Sequence, residues 1–233
     1  MKIIITGATK GIGKAIALKF ARQGFDVAIC SRTPADLRAV KKELQTISPY
    51  IEVISRQTNM QSKAQVEDFA REVLEKWGRV DVLVNNAATF TQGTFLAEPD
   101  GQLEKMVATN VYGSYYLTRK LLPVLIEQKK GHIFNICSVA SQKVYPDCSS
   151  YVISKFALLG LSKVLRQELM DKYVKVTAVI PGATLTDSWS GVDLPKNRLM
   201  DPQDVAKAVW NAYDTGPGSV IEEIVMRPQL GDL

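Results

Sequence analysis

Histidine, cysteine and long apolar runs are scarce in this sequence, and each scarcity excludes a class of protein. The 233 residues include one histidine, His132, which opens an apolar run away from the polar positions discussed below. The three cysteines form no C-x-x-C pair, so neither a metal site nor a disulfide framework is expected. No run approaches the roughly 18 apolar residues of a membrane span, and the first residues predict a strand rather than a signal peptide. We therefore expect a cytoplasmic protein.

A strong excess of charge is also missing. The net charge is +5, and Lys and Arg are scattered, with only short pairs at 41–42 and 129–130. Scattered cations of this kind are typical of solvated helix faces, so a nucleic-acid partner is not expected. With 46% hydrophobic and 23% charged residues, the chain has the composition of an ordinary globular protein. We expect residues 1–233 to form one domain.

Strand-like and helix-like segments alternate along the chain. Apolar, β-branched runs predict strands, and amphipathic stretches between them predict helices, including a long one at 100–128. This alternation indicates an α/β fold, a parallel sheet of about seven strands with helices on both faces. The predicted strands are 2–6, 25–30, 51–55, 80–84, 131–137, 174–180 and 220–226.

A glycine-rich turn follows the first strand. Gly7, Gly11 and Gly13 precede an amphipathic helix, but their spacing fits neither the usual dinucleotide pattern G-x-G-x-x-G nor the P-loop. Three glycines between a strand and a helix still allow backbone N–H groups and the helix N-terminus to approach a pyrophosphate closely. The turn therefore predicts a dinucleotide site, and a tight turn without a ligand is the alternative.

The residues after the second strand indicate which dinucleotide binds. An acidic side chain there would bind the ribose 2′-OH of NAD, but the chain reads Cys30-Ser31-Arg32-Thr33. Asp26 cannot replace it, because it lies at the start of the strand. Arg32, together with Lys10 of the glycine turn, suits the 2′-phosphate of NADP(H) instead. The alternative is that both are solvated surface cations.

Tyr151 and Lys155 follow an apolar strand that ends at Ser138. Four residues apart on a helix, their side chains share one face, so the ammonium can favour the ionised phenol. Such a phenol can exchange a proton with a substrate oxygen near neutral pH. Tyr116 and Lys120 form a second pair with this spacing, but no strand end precedes it. Only Tyr151 has a hydroxyl waiting at a strand's carboxyl end, where open α/β sheets place their chemistry.

Together these motifs resemble one protein family. The order and spacing of the classical short-chain dehydrogenase/reductase (SDR) family are matched by Thr6-Gly-x-x-x-Gly11-Ile-Gly13, Asn85-Asn86-Ala87, Asn110, Ser138, Tyr151-x-x-x-Lys155 and Pro181-Gly182. The motifs span most of the chain. The resemblance implies a single-domain, Rossmann-like, doubly wound fold and an activity that transfers hydride with a nicotinamide cofactor. It also implies that this cofactor is NADP(H), because family members with basic residues at the positions of Lys10 and Arg32 usually use NADP(H).

The resemblance also implies roles for individual residues. Asn110, Ser138, Tyr151 and Lys155 match the catalytic tetrad, with Tyr151 as the general acid. Two positions depart from the family pattern, with Ala88 where a glycine is usual and Asn59 where an aspartate often contacts adenine. The residues expected to bind the cofactor are Gly7, Thr9, Lys10, Gly11, Ile12, Gly13, Ser31, Arg32, Asn59, Asn86, Ala87, Tyr151, Lys155, Pro181, Gly182, Thr184 and Thr186.

The predicted function is NADP(H)-dependent reduction of a small carbonyl compound to an alcohol. The loose segment 183–200 follows a strand end and is expected to shape the substrate site, and its apolar residues favour a modest, partly apolar compound. Two alternatives remain open, an NAD-dependent alcohol dehydrogenase of the same family and a non-catalytic nucleotide-binding regulator on the same fold. The resemblance also suggests a homodimer or homotetramer assembled through the helices at 100–128 and 149–171.

Overall fold

Seven parallel strands form one sheet in the computed structural model, which describes residues 1–189, 191, 193–195 and 197–232. Their order across the sheet is β3-β2-β1-β4-β5-β6-β7. The predicted α/β class, the parallel sheet and the seven strands are confirmed. The strands are β1 (Lys2–Thr6), β2 (Asp26–Ser31), β3 (Val53–Gln57), β4 (Val82–Asn85), β5 (Gly131–Ile136), β6 (Val174–Pro181) and β7 (Glu223–Met226).

The strand order reverses beside β1, whose two neighbours are β2 and β4. In an open parallel sheet such a reversal leaves a crevice at the carboxyl ends of the strands. β1 ends at Thr6, β4 at Asn85 and β5 at Ile136. The glycine turn, the Asn-Asn-Ala motif and Ser138 therefore all follow strands that end at the same edge of the sheet.

Helices cover both faces of the sheet. The helices are α1 (Gly11–Ala21), α2 (Pro34–Ile47), α3 (Lys63–Trp77), α4 (Gln102–Val107), α5 (Gly113–Glu127), α6 (Ser149–Leu169) and α7 (Pro202–Tyr213). One apolar cluster joins α1, α2 and α7 to the sheet, and another joins α3, α5 and α6 to it. Ile3 and Ile5 of β1 belong to the first cluster and Ile4 to the second, because successive side chains of a strand point to opposite faces.

The helix predicted at 100–128 is not uniform. A π-helical turn spans Ala108–Tyr112 between α4 and α5. Such a turn adds a residue to the helix without ending it, and it often marks a functional site. Asn110, at the centre of the turn, is fully buried. The sequence pattern did not reveal the turn, because residues 108–112 include neither Gly nor Pro.

Every predicted strand except β1 differs from the structure by up to three residues at one end or both. The strand predicted at 51–55 lies at Val53–Gln57, where it pairs with β2. The strand predicted at 220–226 is shorter, because only Glu223–Met226 pair with β6. None of the helices in the described part of the chain has the length and apolar character needed to cross a membrane.

The segment 183–200 after β6 is folded against the sheet edge rather than loose throughout. A short 3₁₀ turn spans Asp187–Trp189, and a β-bridge joins Thr184 to Met200. Three positions of this predicted substrate-shaping segment, 190, 192 and 196, lie outside the described residues. The bridge closes the segment into a loop whose two ends meet beside β6.

A row of buried polar side chains crosses the sheet near its carboxyl edge. The Asn85 amide donates to Thr118 Oγ1 at 3.0 Å and to Asn135 Oδ1 at 2.8 Å, and the Asn135 amide donates to Ser162 Oγ at 2.9 Å. All four side chains are buried. This amide row (Asn85, Thr118, Asn135 and Ser162) joins β4 and β5 to α5 and α6.

Candidate active site

The glycine turn can hold no larger side chains. Gly7 and Gly11 have φ values of 63° and 51°, in the left-handed region that favours glycine. Gly13 is required for space, since a Cβ there would lie 2.3 Å from Asn86 Nδ2 and 2.6 Å from the Gly7 carbonyl oxygen. Gly7 and Gly13 thus let the turn between β1 and α1 lie directly against the residues at the end of β4.

Asn86 holds this turn in place. Its side-chain amide donates to the carbonyl oxygens of Thr6 at 2.9 Å and Gly7 at 3.0 Å. In return, Thr6 Oγ1 accepts from the backbone N–H groups of Asn86 at 3.0 Å and Ala87 at 2.9 Å. The amide N–H groups of Asn86 are thus already bonded within the protein, and the side chain fixes the shape of the turn.

A cleft of about 830 Å³ runs along the carboxyl edge from Arg32 to Tyr151. Its walls bring together every residue that the sequence analysis assigned to catalysis or cofactor binding, except Asn110 and Gly13. Gly13 lies behind the turn, against Asn86. A volume of this size is within the range of small-molecule and cofactor sites.

The end of the cleft beside β2 is basic, with carboxylates close by. Arg32 is exposed there and pairs with no carboxylate among the described residues. Lys10 is also exposed, and its Nζ lies 2.8 Å from Asp187 Oδ2. The hydrogen bond and the charge of Asp187 raise the pKa of Lys10, and Asp36 adds to this effect. Lys10 thus remains cationic and reaches toward the segment 183–200.

Asn59 lines the cleft beyond β3. Its side-chain oxygen accepts from the backbone N–H of Gln61 at 3.1 Å, and its own backbone N–H donates to Gln65 Oε1 at 2.8 Å. The oxygen is therefore used by the local turn, and Nδ2 makes no hydrogen bond among the described residues.

Tyr151 and Lys155 lie on α6 as the helical spacing predicted. Lys155 Nζ lies 5.6 Å from the centre of the Tyr151 ring. The lysine is only 2% exposed, and its ammonium donates to the Ile136 carbonyl oxygen at 2.9 Å. An ammonium has three N–H donors, so this contact fixes its position and leaves donors for another group in the cleft.

Ser138 lies two residues after the end of β5 and precedes a single 3₁₀ turn, Val139–Ser141. Its Oγ accepts from the Ala140 N–H at 3.1 Å, while its backbone N–H donates to Ser141 Oγ at 3.1 Å. The backbone thus occupies an acceptor site of the Ser138 hydroxyl, whose proton is free to be donated into the cleft.

Asn110 is buried beside the cleft rather than exposed in it. Its Oδ1 accepts from the Thr89 N–H at 2.8 Å, and its Nδ2 donates to the Thr89 carbonyl oxygen at 3.1 Å and to Ser154 Oγ at 2.9 Å. The side chain therefore ties the loop after β4 to α6, which carries Tyr151.

The second Tyr–Lys pair, Tyr116 and Lys120, lies outside the cleft. Tyr116 packs against Lys63, whose Nζ is 5.6 Å from the centre of the Tyr116 ring.

The cleft is also lined by residues that no sequence motif indicated, namely Phe90, Tyr145 and Asp232. The Phe90 ring meets Tyr151 edge to face, with ring centres 5.0 Å apart. Tyr145 OH donates to Asp232 Oδ2 at 2.5 Å, and Arg227 pairs with the same oxygen. These two contacts lower the pKa of Asp232. Its other oxygen, Oδ1, is buried without a hydrogen-bond partner among the described residues.

The backbone around Asp232 is held in place by hydrogen bonds from Arg198. Arg198 donates to the carbonyl oxygens of Gly231 at 2.9 Å and Asp232 at 2.7 Å. Because Arg198 belongs to the segment 183–200, these bonds hold that segment and the tail together at the cleft. No local sequence pattern marks Phe90, Tyr145 or Asp232, since each reaches the cleft from a different loop.

The sheet is doubly wound, and one cleft holds the glycine turn, a basic site after β2 and a Ser, Tyr and Lys group. These features define a Rossmann-like, dinucleotide-binding class of protein. The chain belongs to the short chain dehydrogenase family, whose model matches residues 1–196. The family and the Rossmann-like fold expected from the motifs are confirmed, and the chain is an oxidoreductase of this family.

Similar proteins cover nearly the whole chain. The sepiapterin reductase of Chlorobaculum tepidum is 36% identical, over 99% of this chain and 97% of that protein. Among solved structures, an alcohol dehydrogenase from the archaeon Thermococcus sibiricus, complexed with 5-hydroxy-NADP, matches with a TM-score of 0.91, 27% identity and coverage of 100% and 98%. A metagenomic short-chain oxidoreductase in complex with NADP matches with a TM-score of 0.85, 31% identity and coverage of 98% and 97%.

Proposed function

We propose that the chain is an NADP(H)-dependent reductase that converts a small carbonyl compound to an alcohol. The observation that carries this proposal is that Ser138, Tyr151 and Lys155 share one cleft with the glycine turn and Arg32. A single domain would then hold both the cofactor and the reacting groups. We further propose that it acts in the cytoplasm.

The basic end of the cleft supports the choice of NADP(H). Arg32 is exposed at the end of β2, where a carboxylate would favour NAD. The glycine turn would receive the pyrophosphate at the N-terminus of α1. Two of the solved structures that resemble the chain carry NADP or 5-hydroxy-NADP, which agrees with this assignment.

Each polar group near Tyr151 has a defined part in the proposed mechanism. The bound nicotinamide would supply hydride to the carbonyl carbon. Tyr151 would donate its phenolic proton to the carbonyl oxygen, and Ser138 would donate a hydrogen bond to the same oxygen. The Lys155 ammonium would stabilise the resulting phenolate and bind ribose hydroxyls. The phenolate would regain its proton from solvent.

Asn110 would serve as a positioning residue. Its side chain bonds Thr89 and Ser154 and does not line the cleft, so it would act through the placement of α6 and the loop after β4. This role differs from direct contact with the substrate. Removal of its amide should therefore alter the positions of Phe90 and Tyr151 together.

The substrate wall favours a compound with an apolar ring and N–H donors. Phe90 and Trp189 offer apolar surface, whereas Asp232 Oδ1 offers an acceptor that has no partner among the described residues. A buried acceptor of this kind selects ligands that can donate to it. Sepiapterin, which the Chlorobaculum tepidum relative is named for reducing, is thus the first compound to try, ahead of simple aliphatic ketones.

Oxidation of NADPH with a carbonyl panel tests the proposed function. The panel should include sepiapterin, simple ketones, diketones and a β-ketoacyl thioester, with NADH in a parallel series. Turnover with NADPH supports the proposal, whereas faster turnover of an alcohol with NAD would favour the oxidising alternative. Tight NADP(H) binding without turnover on any compound would favour a nucleotide-binding regulator.

We also propose assembly into a homodimer or homotetramer. Tyr112 and Tyr115, before and within α5, and Ile153 and Phe156 on α6 are large apolar or aromatic side chains exposed to solvent. These side chains lie on helix faces that do not pack against the sheet. Exposed apolar surface on such faces of neighbouring helices is typical of a protein–protein interface. This extends the sequence prediction, which named the same two helices.

A further inference from the structure

The segment 183–200 is fastened to the glycine turn at two adjacent points. Lys10 Nζ and Asp187 Oδ2 lie 2.8 Å apart, with both side chains more than half exposed. One residue earlier, Thr186 lies so close to Gly11 that a Cβ on the glycine would be 2.8 Å from its methyl group. Trp189 donates its backbone N–H to the Thr186 carbonyl oxygen at 3.0 Å. Asp187 is therefore held in the cleft beside the cation it binds.

Lys10 has two possible anionic partners once a phosphorylated cofactor is present. Lys10, Asp187 and Arg32 all line the same cleft. A carboxylate and a phosphate oxygen both accept charge-assisted hydrogen bonds from an ammonium. An exposed ion pair is weak, about 0.2–1 kcal/mol in general, so a phosphate that also contacts Arg32 can replace the carboxylate.

We propose that Asp187 competes with the 2′-phosphate of NADP(H) for Lys10, and so sets how tightly phosphorylated cofactors bind. The inference rests on the proposed NADP(H) function. Binding exchanges the Lys10–Asp187 pair for a Lys10–phosphate pair, and departure of the cofactor restores the first pair. Asp187 therefore weakens NADP(H) binding while leaving the binding of NAD(H), which has no 2′-phosphate, unchanged.

Two adenine nucleotides isolate this effect from the chemistry at the nicotinamide. Adenosine 2′,5′-bisphosphate carries the 2′-phosphate, and 5′-AMP lacks it. By isothermal titration calorimetry, Asp187→Asn should bind the bisphosphate more tightly than the unaltered chain by up to about fivefold, the upper limit set by an exposed ion pair. The affinity for 5′-AMP should stay the same.

Repeating the substitution in a Lys10→Met variant separates the loss of the Lys10–Asp187 pair from a general effect of removing a negative charge. In Lys10→Met, the additional change Asp187→Asn should leave the affinity for the bisphosphate unchanged, because the contested cation is gone. An equal gain in both backgrounds would overturn the proposal in favour of long-range repulsion. The matched control is Glu43→Gln, which breaks the 2.8 Å pair between Glu43 of α2 and Lys14 of α1 and should not alter either affinity.

The same titrations distinguish this inference from the proposed function. If the unaltered chain prefers the bisphosphate over 5′-AMP but Asp187→Asn gains nothing, only the competition by Asp187 is wrong. If the unaltered chain shows no such preference, NADP(H) selectivity is wrong and the inference falls with it.

Discussion

At the scale of single residues, the Tyr151 hydroxyl is the group on which the proposed chemistry depends. Tyr151→Phe removes the transferable proton but keeps the ring that packs against Phe90. Turnover should fall by about a hundredfold or more, the usual contribution of a positioned general acid, while NADPH affinity changes little. Steady-state rates and a binding titration check both parts.

The second Tyr–Lys pair supplies the control for this prediction. Tyr116 lies outside the cleft and packs against Lys63, so Tyr116→Phe should leave turnover nearly unchanged. Near-normal turnover in Tyr151→Phe, on a substrate that the unaltered chain reduces, would refute the mechanism even though the fold stands.

Arg32 carries the prediction on cofactor choice. NADPH should bind at least about tenfold more tightly than NADH, because the guanidinium can pair with the 2′-phosphate. Arg32→Asp should reverse the order, since a carboxylate repels the phosphate and accepts from the 2′-OH of NAD. Fluorescence titrations with the two cofactors give the ratio, and equal affinities in the unaltered chain would contradict the assignment.

At the scale of secondary-structure elements, local patterns predicted the strand-end residues that meet in the cleft. The residues that follow strand ends, among them Arg32 and Ser138, could be placed because parallel strands end at one edge. The i, i+4 spacing of Tyr151 and Lys155 on a helix was equally local. By contrast, the π-helical turn at Asn110 depends on packing against the loop after β4, and no residue type in the turn signals it.

The substrate wall could not be predicted for a different reason. Tyr145 and Asp232 are 87 positions apart in sequence yet share a hydrogen bond. Such a contact depends on how two loops and the tail pack in three dimensions, not on a repeat or a spacing. The sequence therefore indicated a type of chemistry and a cofactor, but it did not indicate most of the residues that line the substrate wall.

The junction of β1, α1 and β4 gives a prediction about an element rather than a contact. Gly13→Ala would place a Cβ 2.3 Å from Asn86 Nδ2, and the displaced turn should destabilise the fold by about 1–3 kcal/mol, as overpacking does. NADPH affinity should weaken as well, because the turn is proposed to receive the pyrophosphate.

Gly160 provides the matched helical control for Gly13. A Cβ at Gly160 in α6 would meet no atom within 4 Å, so Gly160→Ala should stabilise the protein by up to about 1 kcal/mol through helix propensity. Chemical denaturation of the two variants gives both values, and similar effects from both would mean that the glycine turn tolerates a side chain.

At the scale of the whole molecule, His132 makes stability depend on pH. Its Nε2 lies 2.7 Å from Thr177 Oγ1, which itself donates to the Ile221 carbonyl oxygen. Nε2 therefore donates, and Nδ1 has no partner among the described residues. Burial, reinforced by the charge of Lys175, lowers the pKa of His132 to about 3, because a second proton on the ring would have no acceptor.

The sign of this effect follows from the two states of the chain. The unfolded state takes up the proton near the ordinary pKa of about 6.5, whereas the folded state does not. The contribution of His132 is present above that pH, and about 2 kcal/mol of it should be lost between pH 7 and pH 5. Urea denaturation of His132→Phe should show a flatter profile over this range, and parallel profiles would contradict the prediction.

Assembly is the second property of the whole molecule. Sedimentation velocity at micromolar concentration should show a dimer or tetramer, and Phe156→Glu should shift it toward monomer by burying a charge in the interface. Tyr50→Glu, at a site that is 99% exposed on the loop after α2, should leave the assembly intact. A purely monomeric unaltered chain would refute the proposed interface.

The amide row restricts which sequences can keep this fold. Each member uses another as its partner, so replacing Asn85 or Asn135 alone would leave buried polar groups unsatisfied at about 1–3 kcal/mol each. That is a large share of the roughly 5–15 kcal/mol by which a domain is stable. An apolar version of the row is therefore accessible, in evolution or in design, only by changing all four positions together. Variation that adapts the enzyme to new substrates should accumulate instead in the segment 183–200 and the tail. Single substitutions there remove no hydrogen-bond partner from the amide row.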